Sequence, residues 1–422
     1  MSGPGPIDRA RQLRRLLRRE GLDGIAERVG RRVADRLTPT GTRVRLPVSM
    51  QDLARAGQIA SDGWVLPPPL AAREDEPLTV AWVAAPTTAG DGSGGHTTMF
   101  RQVEALERAG HRCILYFSDP HGWSVEQHRA TMRVLRPSMK AEVRDAAAGI
   151  EDAHAIFATS WETAYPVLAS PAKGVRFYLV QDFEPWFHPA GSEALLAEAT
   201  YRFGFHGVTA GRWLADMLAR DYGMSTDHFD FGCDLDRYRL DPTVSRTGIC
   251  YYARFTKPRR AFELGLAALE LFAARHPGVD IHLYGDDVPR LPFRAINHGT
   301  LGPDQLNDVY NRCVAGLALS ATNVSLVPHE MLAAGCLPVV NDAEHNRIVL
   351  DNSEVVYVPP TPFELADALS ALIERPAAER DAAAAAAAGS VQSRSWDDAG
   401  LQVERAVRTA VTAATRALTL NA

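Results

Sequence analysis

Short apolar runs alternate with longer segments of helical periodicity from residue 78 onward. A first series of runs lies at 79–85, 114–117, 155–159, 176–180 and 207–210. A second series lies at 249–253, 280–284, 316–319, 337–340 and 355–358. Apolar runs of this length joined by amphipathic helices are typical of parallel strands connected by crossover helices. The pattern therefore predicts an α/β protein with two parallel sheets.

The polar segments between these runs suggest where the domains begin and end. Residues 229–247 mix glycine, proline and charge between the two series, which favours an interdomain hinge there. Residues 64–77 contain three consecutive prolines and are typical of a linker. We therefore expect an extension and linker over 1–76, Rossmann-like domains over 77–240 and 241–390, and a C-terminal helix over 391–422 that packs back on the first domain.

The N-terminal extension is basic and periodic. Between Asp8 and Arg36 it carries ten arginines against five acids, with leucine, isoleucine and valine at roughly helical spacing. This predicts a basic amphipathic helix or a pair of them. Two interpretations remain open: a solvated helix packed on the body of the protein, or a helix that binds an anionic membrane surface.

Composition narrows the class of protein. The 422 residues are 46% hydrophobic and 23% charged, with a net charge of −6, which excludes a disordered chain and gives no overall attraction to nucleic acid. The five cysteines are odd in number, lie mostly in apolar runs and lack zinc-ligand spacing. No stretch has the apolar length of a membrane span, and no secretory signal is recognisable. We expect a cytoplasmic protein with buried thiols and no metal.

A glycine-rich loop, Gly92-Ser93-Gly94-Gly95-His96-Thr97-Thr98, follows the first strand and precedes a helix. Its backbone N–H groups and the helix N-terminus suit a phosphate. The glycine spacing differs from the dinucleotide fingerprint, and the lysine of a P-loop is missing. A plain strand-to-helix connection is the alternative interpretation.

A basic cluster follows the first strand of the second domain and consists of Arg254, Lys257, Arg259 and Arg260. Ligands of open parallel sheets bind beyond the carboxyl ends of the strands, where this cluster falls. Arginine adds bidentate geometry to charge neutralisation of a diphosphate. This placement favours a phosphate site over a solvated charge run.

The stretch from Ser320 to Asn341 contains a strand end, a loop, a helix, a glycine stop and another strand. Glu330 lies early in the helix, where its carboxylate either complements the helix dipole or accepts hydrogen bonds from sugar hydroxyls.

The order of these motifs, ending in Pro-x-Glu-x-x-Ala-x-Gly-x-x-Pro-Val-Val, resembles the retaining GT-B glycosyltransferases of the glycogen-synthase-like superfamily. Within that superfamily, Tyr178-Leu-Val-Gln-Asp-Phe-Glu-Pro and Thr209-Ala-Gly-Arg-Trp-Leu are similar to segments of WsaF-like bacterial rhamnosyltransferases. The resemblance covers most of 78–376. It implies a GT-B fold of two facing Rossmann-like domains, with the basic extension preceding them.

The resemblance also implies roles for individual residues. The donor diphosphate would be bound by Gly94, Gly95, Arg254, Lys257, Arg259, Arg260, Ser325 and Leu326. Glu330 matches the second glutamate of the E-x7-E element, which holds the nucleotide ribose, and His298 and Gly299 fall in the base-binding loop.

Two positions depart from the family pattern. Thr322 stands where the first glutamate of E-x7-E is expected, so contacts to the transferred sugar must differ, as would suit a sugar with few polar groups. The usual histidine of the first domain is replaced by Gln181-Asp182-Phe183-Glu184. Asp182 or Glu184 is expected to orient the acceptor hydroxyl or act as its base, although Asp182 as a turn cap is an equal alternative.

The resemblance thus implies transfer of a sugar, with retention, from a nucleoside-diphosphate donor to a hydroxyl of a glycan or lipid-linked glycan. The WsaF-like segments point to dTDP-rhamnose or another deoxysugar nucleotide. No cofactor beyond the donor is expected, and the basic extension is the candidate for peripheral contact with the inner face of the membrane. A secondary-metabolite acceptor, a sugar-nucleotide epimerase and a non-catalytic sugar-nucleotide-binding partner remain alternatives.

Overall fold

A computed structural model describes residues 46–73, 75–87, 94–119 and 122–420. The predicted basic helix over 8–36, and Gly92 and Ser93 of the glycine-rich loop, lie outside the described residues. From Pro47 onward the chain forms one compact unit. No helix among the described residues has both the length and the apolar character needed to cross a membrane.

The first sheet has seven parallel strands in the order β3-β2-β1-β4-β5-β6-β7. In chain order they are β1 (Thr79–Ala84), β2 (Arg112–Phe117), β3 (Glu142–Asp145), β4 (Ala155–Ala158), β5 (Val175–Val180), β6 (His206–Ala210) and β7 (Thr226–Phe229). The central strands are almost wholly buried, which explains their continuous apolar sequence.

The second sheet has six parallel strands in the order β10-β9-β8-β11-β12-β13. They are β8 (Gly248–Ala253), β9 (Ile281–Gly285), β10 (Ile296–Asn297), β11 (Cys313–Leu317), β12 (Leu337–Asn341) and β13 (Val356–Val358). Two parallel sheets confirm the predicted α/β architecture. The short strands β3, β7 and β10 were not predicted, because each is polar and lies at or next to a sheet edge.

Helices connect most of the strands, as the periodicity predicts, and among the described residues one further helix precedes the first strand and three follow the last. They are α1 (Met50–Ser61), α2 (Gly94–Arg108), α3 (Val125–Leu135), α4 (Trp161–Ala169), α5 (Ser192–Thr200), α6 (Arg212–Tyr222), α7 (Phe262–Arg275), α8 (Pro303–Arg312), α9 (Val327–Ala333), α10 (Glu344–Leu350), α11 (Pro362–Ile373), α12 (Ala377–Gly389) and α13 (Trp396–Leu420). Short 3₁₀ turns occur at Ala146–Ala148, Glu184–Phe187 and Pro258–Arg260.

The chain passes between the two sheets twice. The first crossing leads from β7 to β8 through residues 230–247, close to the predicted hinge. The second is helix α13, which packs against α2 and β7 of the first sheet's layer. The two crossings touch at Gly232, where a side chain would collide with the backbone of Trp396, so glycine is required for this close approach.

The cysteine prediction is confirmed. All five cysteines are free thiols and all are buried. Three of them, Cys250, Cys313 and Cys336, lie in the core of the second sheet, where Cys250 and Cys336 have sulfur atoms 3.8 Å apart.

Candidate functional site

The two sheets meet through loops at the carboxyl ends of their strands. On the first sheet these loops follow β5 and β6, and on the second the loop follows β11. Side chains and backbone groups from the three loops form buried hydrogen bonds across the junction. The carboxyl edges, where ligands of parallel sheets bind, therefore face one another.

Asp182 lies at the centre of this junction and is only 8% exposed. Its Oδ2 accepts a 3.0 Å hydrogen bond from the Thr322 hydroxyl, and its Oδ1 accepts a 2.8 Å hydrogen bond from the Asn323 N–H. Oδ1 also accepts from the N–H of Phe183 at 2.9 Å. The predicted acid thus joins the two domains, and its partner is the residue at the position of the missing glutamate.

Asn323 strengthens the same junction and was not singled out by its sequence. Its side-chain amide is fully buried and donates to the carbonyl of Gln181 at 2.9 Å and to that of Ala210 at 2.8 Å. These carbonyls end β5 and β6, so a single amide satisfies two strand ends of the opposite domain.

The loop that holds Thr322 and Asn323 is braced from its own domain. Asn341, the last residue of β12, accepts from the N–H of Ser320 and donates to the Ser320 carbonyl, both at 2.8 Å. Arg260 donates to the Ser320 hydroxyl at 2.7 Å and to the Asn323 carbonyl at 3.4 Å. Burial lowers the pKa of the Arg260 guanidinium. Arg260, one of the four predicted cations, therefore stabilises the conformation of the loop that contains Thr322 and Asn323.

Arg259 lies between the domains. Its Nε is 3.5 Å from Oδ2 of Asp182, and its guanidinium lies 4.2 Å from the centre of the Phe187 ring. Its Nε makes no hydrogen bond of good geometry to the described residues. Arg259 therefore has N–H groups that could donate hydrogen bonds to an anion at the interdomain junction.

Arg254 and Lys257 differ in their surroundings. Arg254 is half-buried at the end of β8, with Nε 3.3 Å from Oδ1 of Asp286 and without a hydrogen bond of good geometry. Gly285, at the end of β9, makes room for it, because a side chain there would collide with the Arg254 Cδ. Lys257 is exposed in the turn that follows.

The predicted base-binding loop lies next to Arg254. The Gly285 N–H donates to the Gly299 carbonyl at 2.8 Å, which fixes the loop to the end of β9. His298 pairs through Nε2 with Nδ1 of His282 at 3.0 Å, and the rings stack. Burial lowers the pKa of both imidazoles. The Gly299 backbone has φ near +64°, which favours glycine.

Glu330 is half-buried in α9, among the hydroxyls of Tyr310 and Tyr238. The Tyr310 hydroxyl is 3.5 Å from Glu330 Oε2. Burial and the nearby Asp234 carboxylate raise the pKa of Glu330 to about 7, while Arg101 opposes the rise. A carboxyl group with such a pKa changes charge near neutral pH.

Ser325, Leu326, Gly94 and Gly95 occupy helix starts. Ser325 and Leu326 are half-buried and lead into α9, with Leu326 at the N-cap position. Gly94 is exposed as the first residue of α2, and a side chain there would meet nothing within 4 Å. No side chain among the described residues caps the N-terminus of α9, and the residue that precedes α2 lies outside them.

Glu184 has a different environment from Asp182. Its Oε2 accepts a 2.6 Å hydrogen bond from the N–H of Trp161, the first residue of α4. Burial raises the pKa of Glu184 well above its ordinary value, and the Glu162 carboxylate adds to the rise. The structure thus brings Asp182 to the interdomain junction and places Glu184 at the start of a helix within the first domain.

Arg101 and Asp234 form a contact between α2 and the chain crossing at 230–247 that the sequence did not indicate. Arg101 in α2 binds both carboxylate oxygens of Asp234, one at 2.7 Å, and its guanidinium lies 4.5 Å from the Trp396 ring centre. It links the helix after the glycine-rich loop to both chain crossings. The described residues include no cluster of three or more side chains that could hold a metal ion.

Comparison with known proteins extends these findings. Residues 247–370 match the family described as "WsaF, C-terminal domain". The chain is 36% identical over 214 aligned residues to the O-antigen biosynthesis protein RfbC of Myxococcus xanthus, and the alignment covers 49% of this chain and 17% of that protein. The chain therefore spans a small part of this relative's length.

Solved structures share the fold at low sequence identity. Anabaena HepE, determined with UDP and glucose, is 14% identical with a TM-score of 0.60 over 79% of this chain and all of that one. A mutant S. aureus TarM, determined with fondaparinux, α-GlcNAc-glycerol and UDP, is 6% identical with a TM-score of 0.61 over 78% of this chain and 99% of that one. The fold is GT-B, as the sequence predicted.

Proposed function

We propose that this chain, in which residues 247–370 form a WsaF-type C-terminal domain within a GT-B fold, is a glycosyltransferase that uses a nucleoside-diphosphate sugar. The observation on which the proposal depends is the position of Arg254 and Arg259. Both lie at the carboxyl edge of the second sheet with guanidinium donors that no described group fully engages. The family match, the relative in O-antigen biosynthesis and the UDP-bound structural neighbours support the same class of donor.

The donor is proposed to lie along the second sheet. Its diphosphate would contact Arg254, Arg259 and the N–H groups of Ser325 and Leu326, with Gly94 and Gly95 approaching from the first domain. Glu330 would accept hydrogen bonds from ribose hydroxyls, and the His298–Gly299 loop would contact the base. Lys257 and Arg260 would add positive charge without direct contact, since one is exposed and the other shapes the loop.

The transferred sugar is proposed to be a deoxysugar, with dTDP-rhamnose favoured and with retention of configuration. Thr322 supports this choice, because its hydroxyl is committed to Asp182 and its side chain is 1% exposed. No carboxylate is therefore offered at position 322 to a sugar hydroxyl. A sugar with fewer hydroxyl groups to satisfy suits that environment.

In the proposed reaction the acceptor oxygen bonds to the anomeric carbon, the nucleoside diphosphate leaves with the electrons of the broken bond, and an oxygen of the departing diphosphate takes up the acceptor proton. The arginines stabilise the negative charge that develops on the diphosphate. Asp182 and Glu184 were both predicted to serve the acceptor. Because Thr322, Asn323 and Phe183 engage the oxygens of Asp182, we propose that it positions Arg259, while Glu184 caps α4.

The acceptor is proposed to be a hydroxyl of a glycan or lipid-linked glycan in polysaccharide biosynthesis. We propose that residues 77–240 bind it, that residues 241–390 bind the donor, and that the chain acts in the cytoplasm, with the basic segment from Asp8 to Arg36 contacting the inner face of the membrane. No cofactor besides the donor is proposed.

The test compares Arg254→Ala with Lys257→Ala, which removes a cation from the same cluster without removing a described contact. Thermal stabilisation by dTDP-rhamnose, UDP-glucose and GDP-mannose identifies the donor, and product formation then measures transfer. We expect Arg254→Ala to lose transfer at least about 100-fold with an unchanged melting temperature, and Lys257→Ala to stay within about threefold. Unchanged turnover in Arg254→Ala would contradict the proposal.

The same assay separates the rival functions. An epimerase would convert the donor sugar with no acceptor present, and a non-catalytic binding partner would be stabilised by donor without any turnover. Either result with the wild-type chain would replace the transferase proposal.

A further inference from the structure

Two neighbouring aromatic rings are exposed beside the interdomain junction. Trp186 is 52% exposed and Phe187 is 37% exposed, and both belong to the 3₁₀ turn that follows β5. Exposing consecutive large aromatic side chains costs hydrophobic free energy unless a ligand or partner covers them. The pair therefore calls for a functional explanation.

Neighbouring rings restrain Trp186. Trp186 packs edge-on against Phe183, with ring centres 4.9 Å apart, and lies 6.2 Å from Trp213 of α6. Pro185 restricts the turn, and the Tyr201 hydroxyl accepts a 3.1 Å hydrogen bond from the Glu184 N–H at its start. The platform, defined as Trp186 and Phe187, thus offers a ligand the restrained, half-exposed Trp186 ring at small entropic cost, beside a Phe187 ring that Arg259 covers on one face.

The platform adjoins the proposed donor site. Its turn contacts the Pro258–Arg260 turn of the second domain, and the Arg259 guanidinium lies 4.2 Å from the Phe187 ring centre. A molecule lying on the rings would therefore be next to the arginine that we assign to the donor diphosphate. An acceptor must occupy such a position for its hydroxyl to reach the sugar being transferred.

Polar groups border the platform. His188 follows Phe187 directly, and its Nδ1 is 2.9 Å from Oε2 of Glu193, a carboxylate that is itself partly exposed. Flat apolar faces next to a few fixed polar groups are the usual composition of a small-ligand site. A pyranose ring has the matching chemistry, with one face of C–H bonds and an equator of hydroxyls.

We propose that Trp186 forms the stacking face, and Phe187 the adjoining apolar border, of a subsite for a sugar ring of the acceptor. The inference rests on the proposed transferase function and deepens it, because it makes the receiving end of the acceptor a carbohydrate. An anionic membrane surface is one alternative occupant, which vesicle binding tests. A second copy of the chain is the remaining alternative occupant.

The matched control is Trp64, which carries the same ring and is 39% exposed. It packs against Phe203, 5.7 Å away between ring centres, just before the amino end of β6 and hence at the opposite edge of the first sheet. Trp64→Ala removes an exposed indole without touching the platform. Trp186→Phe keeps a stacking ring and serves as the conservative variant.

The probes are methyl glycosides of rhamnose, galactose and N-acetylglucosamine, titrated calorimetrically into the full chain. We expect the best of them to bind roughly tenfold more weakly to Trp186→Ala, and about as well to Trp186→Phe and Trp64→Ala as to the wild type. In transfer assays Trp186→Ala should raise the acceptor KM by a similar factor and leave the donor KM unchanged.

Two binding results would overturn the subsite: no glycoside binding to the wild type, or equal glycoside binding to the wild type and Trp186→Ala. It would also be overturned if Trp186→Ala lost vesicle binding or self-association and kept its glycoside affinity. Vesicles of phosphatidylglycerol and phosphatidylcholine test the membrane, and light scattering after size exclusion tests the second copy. Glycoside binding is measured without donor, and donor binding by thermal shift without glycoside. A failure of the subsite would therefore appear in glycoside binding, and a failure of the transferase proposal would appear in donor binding and turnover.

Discussion

The hydroxyl of Thr322 donates a 3.0 Å hydrogen bond to Oδ2 of Asp182, across 140 residues of sequence and between the two domains. Both side chains are buried, at 1% and 8% exposure. A carboxylate is thus present near position 322 after all, but it is supplied by the opposite domain. Thr322, which departs from the resembled pattern, and Asp182, one of the two acids found where the usual histidine was expected, are partners in one contact.

Restoring the glutamate should therefore damage the junction. Thr322→Glu would place a second carboxylate beside Asp182 in a buried site, where like charges repel and neither is solvated. We expect the free energy of unfolding to fall by about 2–4 kcal/mol, together with a large loss of transfer. Denaturant unfolding and turnover with dTDP-rhamnose and UDP-glucose measure both effects.

Two variants control this experiment. Thr322→Ser keeps the hydroxyl and should stay within about 1 kcal/mol of the wild type. Combining Thr322→Glu with Asp182→Asn should recover part of the stability, because an amide can donate to the new carboxylate. A Thr322→Glu chain that is stable and gains use of UDP-glucose would show that the hydrogen bond to Asp182 does not determine donor choice.

Nucleotide binding is expected to depend on pH through Glu330. Its pKa is raised to about 7 by burial, so the carboxyl group is largely neutral below that value. An ionised carboxylate accepts hydrogen bonds from ribose hydroxyls more strongly than a neutral carboxyl group. Nucleoside-diphosphate affinity should therefore rise between about pH 6 and about pH 8, and calorimetric titration across this range measures the rise.

The same titration has the opposite effect on folding stability, which should fall as the pH rises. Folded Glu330 holds its proton more tightly than an unfolded glutamate of ordinary pKa 4.5, so its stabilising effect is complete below that pH and is lost as the pH rises through about 7. Glu330→Gln removes the titration and should flatten both profiles. A binding profile that keeps its slope in Glu330→Gln would assign the titration to another group.

Arg101 and Asp234 should shift that profile in opposite directions. The Asp234 carboxylate raises the pKa of Glu330 and the Arg101 guanidinium lowers it. Arg101→Gln is therefore expected to move the midpoint of nucleotide binding to higher pH, and Asp234→Asn to lower pH. Midpoints that move together, or not at all, would show that Glu330 is not the titrating group.

Much of the architecture was predictable, and the reasons are local. Continuous apolar runs indicated the central strands, and their burial on both faces in the structure explains why that signal was clear. The strands β3, β7 and β10 escaped prediction because short peripheral strands have exposed or half-buried positions and need few apolar residues.

The sequence could indicate which residues lie at the site but not the contacts that they make with one another. Strand order places Arg254 and Asp182 at carboxyl edges, which sequence spacing can indicate. Nothing in the spacing reveals that Asn323 would satisfy carbonyls at Gln181 and Ala210, because these contacts depend on how the two domains meet. The contact of Arg101 with Asp234 likewise depends on how the chain crossing at 230–247 packs on α2. The sequence likewise could not assign different roles to Asp182 and Glu184, because they are two residues apart and only the structure shows that their environments differ.

Glu184 provides a final test of that separation. Because its Oε2 accepts from the Trp161 N–H at the start of α4, Glu184→Gln keeps an oxygen acceptor of nearly the same shape. We expect this variant to retain transfer within about threefold, whereas Glu184→Ala should lose about 1–3 kcal/mol of unfolding free energy by leaving a buried N–H unpaired. Denaturant unfolding and steady-state turnover on the same preparations measure the two quantities.

The comparison with Asp182 makes this test decisive. Asp182→Asn also keeps its shape, yet it removes the charge that faces Arg259 at 3.5 Å, so it should lower turnover more than Glu184→Gln does while the melting temperature changes little. If instead Glu184→Gln abolished transfer with an unchanged melting temperature, the carboxyl group that serves the acceptor would be Glu184. The helix-cap assignment would then have to be abandoned, because a cap retains its function when glutamine replaces glutamate.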